Sequence, residues 1–419
     1  MKKPCFKNIL LILLFLLSAS LLYAVDFGLL VNNYLGFGNS PIGDPGSDYD
    51  ENILEYRLDI VPRLSFLIGD TGSFFASAGM TVHYQNAGSH DTYFIPEILR
   101  TEFSLNSGEW GVRVGRFGYS DPLNFITNGL FDGFQITHTS SLGKFGLGAW
   151  YTRLLYKKNA KITMTENELA QYLSDVDYDD FSNTYFAPSR FIASIDWEHP
   201  SIGGILRLNA ALIGQEDLQG EDEKYNSQYL TLKAGLPVKK ILFEAGGSLE
   251  ISQQVSSDEI ITGAGLAIDL GISWILPSSY NSRLAFNFRY ASPKDDVFSP
   301  FTPITTTYNG QIFQSKITGL TVLNLDYTAR FLDTFSVNLS ASYFIRNDLS
   351  IYDTFPIDDV VDDKGHFLGL ELYGRLIWTV VSDLQFNLGG GAFIPVGNNW
   401  NSDTLPKWRL DLTAILGIF

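Results

Sequence analysis

In Arg283 to Tyr290 the apolar residues Leu284, Phe286, Phe288 and Tyr290 alternate with Arg283, Ala285, Asn287 and Arg289. Successive side chains of a strand point to opposite faces, so a period of two describes a strand greasy on one side and polar on the other. The same parity holds for Leu54, Tyr56, Leu58 and Ile60 against Glu55, Arg57, Asp59 and Arg63, and for Phe335 to Tyr343. What constrains the fold is length: these runs extend over 10 to 15 residues, where strands of soluble proteins average about 5 to 6. A tilted strand crosses a bilayer in about 9 to 11 residues.

The pattern predicts strands over 25–37, 52–66, 73–84, 94–105, 110–119, 131–140, 145–158, 186–198 and 204–216. It predicts further strands over 225–235, 240–253, 261–275, 281–292, 316–330, 334–346, 366–379, 383–394 and 407–419. That makes about eighteen, with sixteen as the neighbouring even count. Connections alternate between long (38–51, 85–93, 120–130, 159–185, 217–224, 254–260, 293–315, 347–365, 395–406) and short. The fold class that follows is all-β: a transmembrane antiparallel up-and-down β-barrel with short periplasmic turns and long acidic extracellular loops. Gly69 to Gly72 and Asn106 to Gly108 have tight-turn chemistry. Acid collects in the long connections at Asp175, Asp177, Asp179, Asp180, Glu221 to Glu223, Asp358, Asp359, Asp362 and Asp363. Trp274, Tyr290, Trp378 and Trp408 lie near strand ends, where an interfacial aromatic girdle belongs.

The chain opens with Lys2, Lys3 and Lys7, a run from Ile9 to Leu22 that is almost wholly apolar, and Ala24. This is the form of a cleaved secretory signal peptide over 1–24, leaving a single barrel over 25–419. No later segment approaches the roughly 20 apolar residues of a membrane helix, so any span is made of strands. Cys5 is the only cysteine, which excludes disulfides and thiolate metal sites from the exported part. The net charge of −17 moves to −20 when the three lysines leave with the signal, and such a balance speaks against nucleic acid as a partner.

All fourteen arginines, at 57, 63, 100, 113, 116, 153, 190, 207, 283, 289, 330, 346, 375 and 409, fall inside predicted strands, mostly on the polar parity. An arginine facing lipid at mid-bilayer costs roughly 2 to 4 kcal/mol, so the set points into the lumen. With Lys233 there are fifteen cationic wall positions against ten acids: Asp59, Glu102, Asp196, Glu198, Glu244, Glu250, Asp269, Asp326, Glu371 and Asp411. Two readings compete. Either arginines pair with acids and brace the wall, as Arg57 with Asp59, Arg100 with Glu102 and Arg375 with Glu371 could, or the surplus makes an anion-preferring conduit. The expected pore-lining set is Arg57, Arg63, Arg100, Arg113, Arg116, Arg190, Arg207, Lys233, Arg283, Arg289, Arg330, Arg346, Glu371, Arg375 and Arg409. Arg113 and Arg116 have opposite parity, so both face the lumen only if a bulge intervenes near Gly115 or Gly118.

No catalytic residue, metal site or cofactor is expected. His83, His90, His138, His199 and His366 show no metal-ligand spacing, and neither a nucleophile elbow nor a phosphate-binding loop is present.

Two segments resemble the alginate-export family of outer-membrane porins. Val112-Arg-Val-Gly-Arg116 followed by Phe131-Asp-Gly133 is similar to that family's strand ending in Gly-Arg and its later Phe-Asp-Gly strand start. Leu368-Gly-Leu-Glu371, Asp383 to Phe386 and Ala392-Phe-Ile-Pro395 resemble its C-terminal hairpin and the stop that follows. The resemblance implies an eighteen-stranded barrel with an arginine-rich lumen, and makes Arg113, Arg116, Glu371 and Arg375 wall positions of a channel.

The expected function is passage of small or oligomeric anionic solutes, acidic saccharides among them, across the outer membrane, with no enzymatic activity. Expected partners are outer-membrane lipid, the solutes, and the barrel assembly machinery engaging the last strand through Phe419. A second reading is a surface adhesin or structural barrel whose lumen is plugged by 159–185 and 293–315. A third, a periplasmic β-sandwich, would need no membrane.

Overall fold

The alternation is realised as a closed antiparallel barrel. The structure, a computed structural model, describes residues 25–40, 52–86, 91–219, 223–256, 259–278, 280–294, 298–349, 365–396, 399–400 and 406–418. The expected signal segment, His90, Glu221, Asp222, Asp358, Asp359, Asp362, Asp363 and Phe419 lie outside the described residues.

The first nine strands are β1 (Val25–Gly38), β2 (Ile53–Ile68), β3 (Gly72–Gln85), β4 (Asp91–Ser107), β5 (Trp110–Ser120), β6 (Asn128–Ser140), β7 (Gly143–Tyr151), β8 (Arg190–Ile202) and β9 (Leu206–Asp217). The rest are β10 (Glu223–Val238), β11 (Ile241–Ser256), β12 (Ile260–Ile275), β13 (Arg283–Ala291), β14 (Leu320–Leu332), β15 (Phe335–Arg346), β16 (Phe367–Val381), β17 (Leu384–Pro395) and β18 (Lys407–Ile418). Each pairs with its neighbours in the chain, and β1 pairs with β18 from Leu29 opposite Ile418 to Gly38 opposite Arg409, which closes the sheet. In lipid every backbone polar group needs an internal partner, and closure removes the edges that would lack one.

Parity sorts the side chains as the sequence requires. Leu212, Leu232, Leu249, Ile251, Leu339 and Leu388 stand exposed on the outer face, while Ala211, Thr231, Ser248 and Glu250 are buried within. Trp110, Trp274 and Trp378 are exposed outer-face residues close to short turns, so one rim of the barrel carries a tryptophan belt. Trp274 and Trp378 belong to the expected girdle; Trp408 instead lies at the long-loop end of β18.

The main departure is at β7. Its strand pattern was expected to continue to residue 158, but the ladder stops at Tyr151. From Thr152 the chain turns, with Leu155 N–H donating to the Thr152 carbonyl at 3.0 Å. It then forms three short helices, α1 (Lys157–Ala160), α2 (Glu166–Leu173) and α3 (Phe181–Thr184). Leu155 is buried in the core inside the barrel and Tyr156 against Ile95 of β4 and Tyr185, neither as part of a ladder, which is why their hydrophobicity mimicked a strand. Arg153 therefore lies in a loop, where it donates to the Ser182 and Ala187 carbonyls, and is no wall residue. Likewise β14 starts at Leu320 instead of 316, because residues 317–320 form a turn.

Three long-loop-end connections fold inward. The β5–β6 tip carries buried Leu123, Phe125 and Ile126; segment 152–189 contributes Ile162 and Ala187; segment 298–319 contributes Phe301, Ile304, Ile312 and Phe313. Together with inner-face residues such as Trp150, Tyr229, Phe344 and Phe393, they build one apolar core inside the barrel.

Candidate functional site

The lumen is the site, and its charges are organised by what lies opposite them. On the β2–β5 side Arg57 Nε meets Asp59 at 3.2 Å. Glu102 is shared: Arg100 binds one carboxylate oxygen, and Arg113 Nε the other at 2.7 Å. The cations in these pairs are the more exposed partners. Arg57 retains 36% of its side-chain surface against 21% for Asp59, and Arg100 and Arg113 retain 40% and 33% against 8% for Glu102. Carboxylates sit at the base of the wall and guanidinium faces look into the lumen.

The other expected wall residues divide. Arg289 pairs with Asp269 at 3.2 Å and lies over the Phe125 ring, and Lys233 pairs with Glu244 at 3.3 Å. Arg375 stacks near Tyr373 and donates to its hydroxyl at 3.2 Å. Arg63, Arg207 and Arg283 share the inner parity of their strands. Arg330 sits at the short-turn rim with Asp333.

Four expected pore-lining arginines are consumed by structure. Arg190 is fully buried, binding Glu168 of α2 at 2.7 Å, Asp217 at 3.3 Å and the Tyr225 carbonyl. Arg346 is fully buried on the Gly365 and Leu349 carbonyls. Arg409 holds the Gln311 carbonyl at 2.9 Å. Arg116 binds Asp132 through both oxygens, at 2.9 and 2.7 Å, and donates to the Leu154 and Ile98 carbonyls. No bulge interrupts β5, whose pairing runs unbroken from Trp110 to Arg116 with β4 and on to Ser120 with β6. Gly115 instead takes φ +112°, where a Cβ would collide with the Thr101 carbonyl oxygen. The strand turns inward there, and Arg116 seals the wall instead of lining the lumen.

Glu371 also departs from its expected role. Its carboxylate accepts backbone N–H groups of Gln311, Ile312 and Phe313 at 2.6, 2.9 and 2.9 Å, so it pins the inward loop rather than pairing with Arg375. Glu250 does the same for Thr302 N–H at 2.7 Å. The cationic surplus counted from sequence narrows accordingly. Arg153 leaves the wall, and Glu55, Glu97, Asp132 and Asp217 join it, bonded to His83, Asn159, Arg116 and Arg190.

The three inward segments are tied to one another. Lys316 Nζ donates to the Thr163 carbonyl at 2.9 Å, Thr306 N–H to the Lys161 carbonyl at 2.7 Å, and Thr305 N–H to the Ile126 carbonyl at 3.0 Å. Burial pushes the Lys316 ammonium down to about 7 and that of Lys157 to about 8. Asp121 caps the β5–β6 tip, accepting from Leu123, Ile126 and Thr127 N–H groups. Beside this tip a cavity of about 670 Å³ remains open, lined by Arg113, Lys144, Arg207 and Lys233 together with Asp196, Glu198 and Glu244. Sequence reasoning missed Lys144 as a wall cation. The inward loops were foreseen only in the second reading, as 159–185 and 293–315; the part of the β5–β6 tip in the plug was not. Among the described residues no cluster of His, Cys, Asp and Glu could hold a metal ion.

No family model and no curated protein matches the sequence, so the likeness to alginate-export porins stays with the two segments that carry it. Solved structures do match. OccK2 (OpdF) of Pseudomonas aeruginosa, also solved in complex with glucuronate, superposes with a TM-score of 0.60 at 11% identity over 94% of this chain and 98% of that one. OpdK of the same organism, solved with vanillate, gives the same values. OprD gives 0.57 at 12% identity over 94% and 95%. At such identities the likeness concerns the fold: a closed eighteen-stranded antiparallel barrel of the kind found in these outer-membrane porins.

Proposed function

We propose that this chain is an outer-membrane channel for small organic anions, delivered through a cleaved signal over 1–24 and spanning the bilayer as one barrel from residue 25 to 419. The observation that carries the reading is the sharing of Glu102 by Arg100 and Arg113, with both guanidiniums more exposed than the carboxylate between them. One acid under two cations leaves a net positive face where a solute passes, and guanidinium forks suit carboxylates. Glucuronate and vanillate, bound by the structural neighbours, are both small carboxylates. The tryptophan belt supports lipid as surroundings, and the short turns support their rim as the periplasmic one. The barrel assembly machinery, acting on the last strand, is the partner this reading requires.

Purified protein in planar bilayers under a potassium chloride gradient tests it. The expected result is a conductance whose reversal potential reports preference for chloride; cation preference overturns the anion reading. A second reading is favoured by the apolar core inside the barrel: a structural barrel or adhesin with a closed lumen. Silence in the bilayer experiment, from protein shown to be folded, selects it.

A further inference from the structure

The barrel wall is incomplete beside β4. That strand pairs with β3 along its whole length, up to Asp91 opposite Gln85, but with β5 only from Ser107 to Thr101. Residues 91–100 thus present about 30 Å of edge, at roughly 3.3 Å per residue, from which β5 has departed at Gly115. On the far side, β7 pairs with β6 only as far as Asp132. The hairpin 116–131 has left the wall and gone into the lumen.

Segment 152–189 fills the space. Side chains of this segment and of β5, not a backbone ladder, meet the edge at Phe94, Pro96 and Ile98. The Tyr178 hydroxyl bonds to both the N–H and the carbonyl of Phe94, at 3.1 and 2.7 Å. The Tyr185 hydroxyl donates to the Pro96 carbonyl at 2.7 Å, and Arg116 to that of Ile98. Pro96 has no N–H to leave unpaired, which is where proline belongs on an open strand. Behind the hydroxyls Tyr156, Tyr185, Phe181 and Phe186 pack on Ile95. Outside, Ile98, Leu154 and Tyr178 are exposed. Inside, Arg113 lies over Phe117 within 4.3 Å.

We propose that segment 152–189 is a displaceable panel over a side opening of the barrel, through which a single-chain amphipathic carboxylate passes between lipid and lumen. Ile95 and the four aromatics give the route an apolar side, next to the Arg116–Asp132 ion pair and the Glu97–Asn159 hydrogen bond, and it ends at lumenal guanidiniums, which matches an alkyl chain with an anionic head. A ladder of some ten residues would have to break to open any other part of the wall; here side-chain hydrogen bonds alone join the panel to β4, while Arg190–Glu168, the Lys316 and Thr306 bonds and the apolar core anchor its inner side. The inference rests on the membrane placement proposed above, and not on the ion conductance.

The exported barrel, which has lost Cys5 with the signal, is reconstituted in phosphatidylethanolamine–phosphatidylglycerol vesicles containing a diazirine-bearing palmitate, and photo-adducts are mapped. The expected result is adducts within 113–119, on the lumenal side. Joining Phe94→Cys to Tyr178→Cys with a short bis-maleimide lowers them at least five-fold, whereas Tyr178→Phe with Tyr185→Phe raises them at least three-fold. Heat-modifiable migration establishes folding of each variant, and either variant alone decides the matter if the other does not fold. Adducts confined to outward residues such as Ile98 and Leu105, or lumenal adducts unaffected by the variants, overturn the proposal. Conductance of the same preparations is scored separately. A silent barrel with panel-dependent adducts sinks the channel reading and keeps the side opening; a conducting barrel without them does the reverse.

Discussion

At the scale of single residues, the lumenal charges act through who shares with whom. Glu102 is the pivot, because neutralising it frees two guanidiniums at once. Removing one negative charge about 6 Å from a solute in high-dielectric water is worth about 0.7 kcal/mol. Chloride gains and potassium loses that amount, so Glu102→Gln is expected to raise the chloride-to-potassium permeability ratio roughly ten-fold, read from reversal potentials. Arg100→Ala with Arg113→Ala is expected to lower it below the wild-type value, and an unchanged ratio in both would remove this pair from the pathway. Arg57 with Asp59 and Arg100 with Glu102 were readable in sequence because partners two apart on one strand share a face. Glu371 was not readable in this way: its partners are main-chain amides of a loop 58 to 60 residues away, and no spacing rule reaches them.

At the scale of elements, the inward segment 298–319 is held by two buried carboxylates from the wall, Glu250 and Glu371. Hydrogen bonds to a charged acceptor contribute about 1.5 to 3 kcal/mol each, so Glu371→Gln loosens the segment by at least one such unit. Conductance recordings should then show larger or more frequent open steps than wild type, and a quieter channel would contradict the pinning role. The Lys316 tie adds a pH dependence. Its ammonium titrates near 7 when the loops are packed, against 10.5 in water. Glu168 is the charge that faces it, and only partly offsets the burial. With the packed value below the free one, the opened state holds more protons between the two. Packing is therefore weakest below pH 7 and strengthens as pH rises from about 7 toward 10.5. Gating steps should grow rarer from pH 6 to pH 9, and Lys316→Met should flatten that trend. The sequence marked 159–185 and 293–315 as long enough to plug the lumen but not how they pack, since a hydrophobic residue in a loop, such as Phe301 or Ile304, carries no period to say what it packs on.

At the scale of the whole molecule, the barrel was legible because its two constraints repeat in every strand: apolar residues every second position, and turns alternating short and long. Seventeen hairpins average out local errors, so a wrong end at β7 changes neither the strand count nor the topology. What escaped was the break in that regularity, where Gly115 turns a hairpin out of the wall and Pro96 marks the strand left behind. A proline inside the expected strand 94–105 was the signal available. Its consequence extends beyond transport. A strand edge with free carbonyls is a template for another strand, so segment 152–189 also acts as a guard against adhesion. Excising it would leave two barrels able to stitch together side by side along β4, and Pro96 would limit how many stitches form.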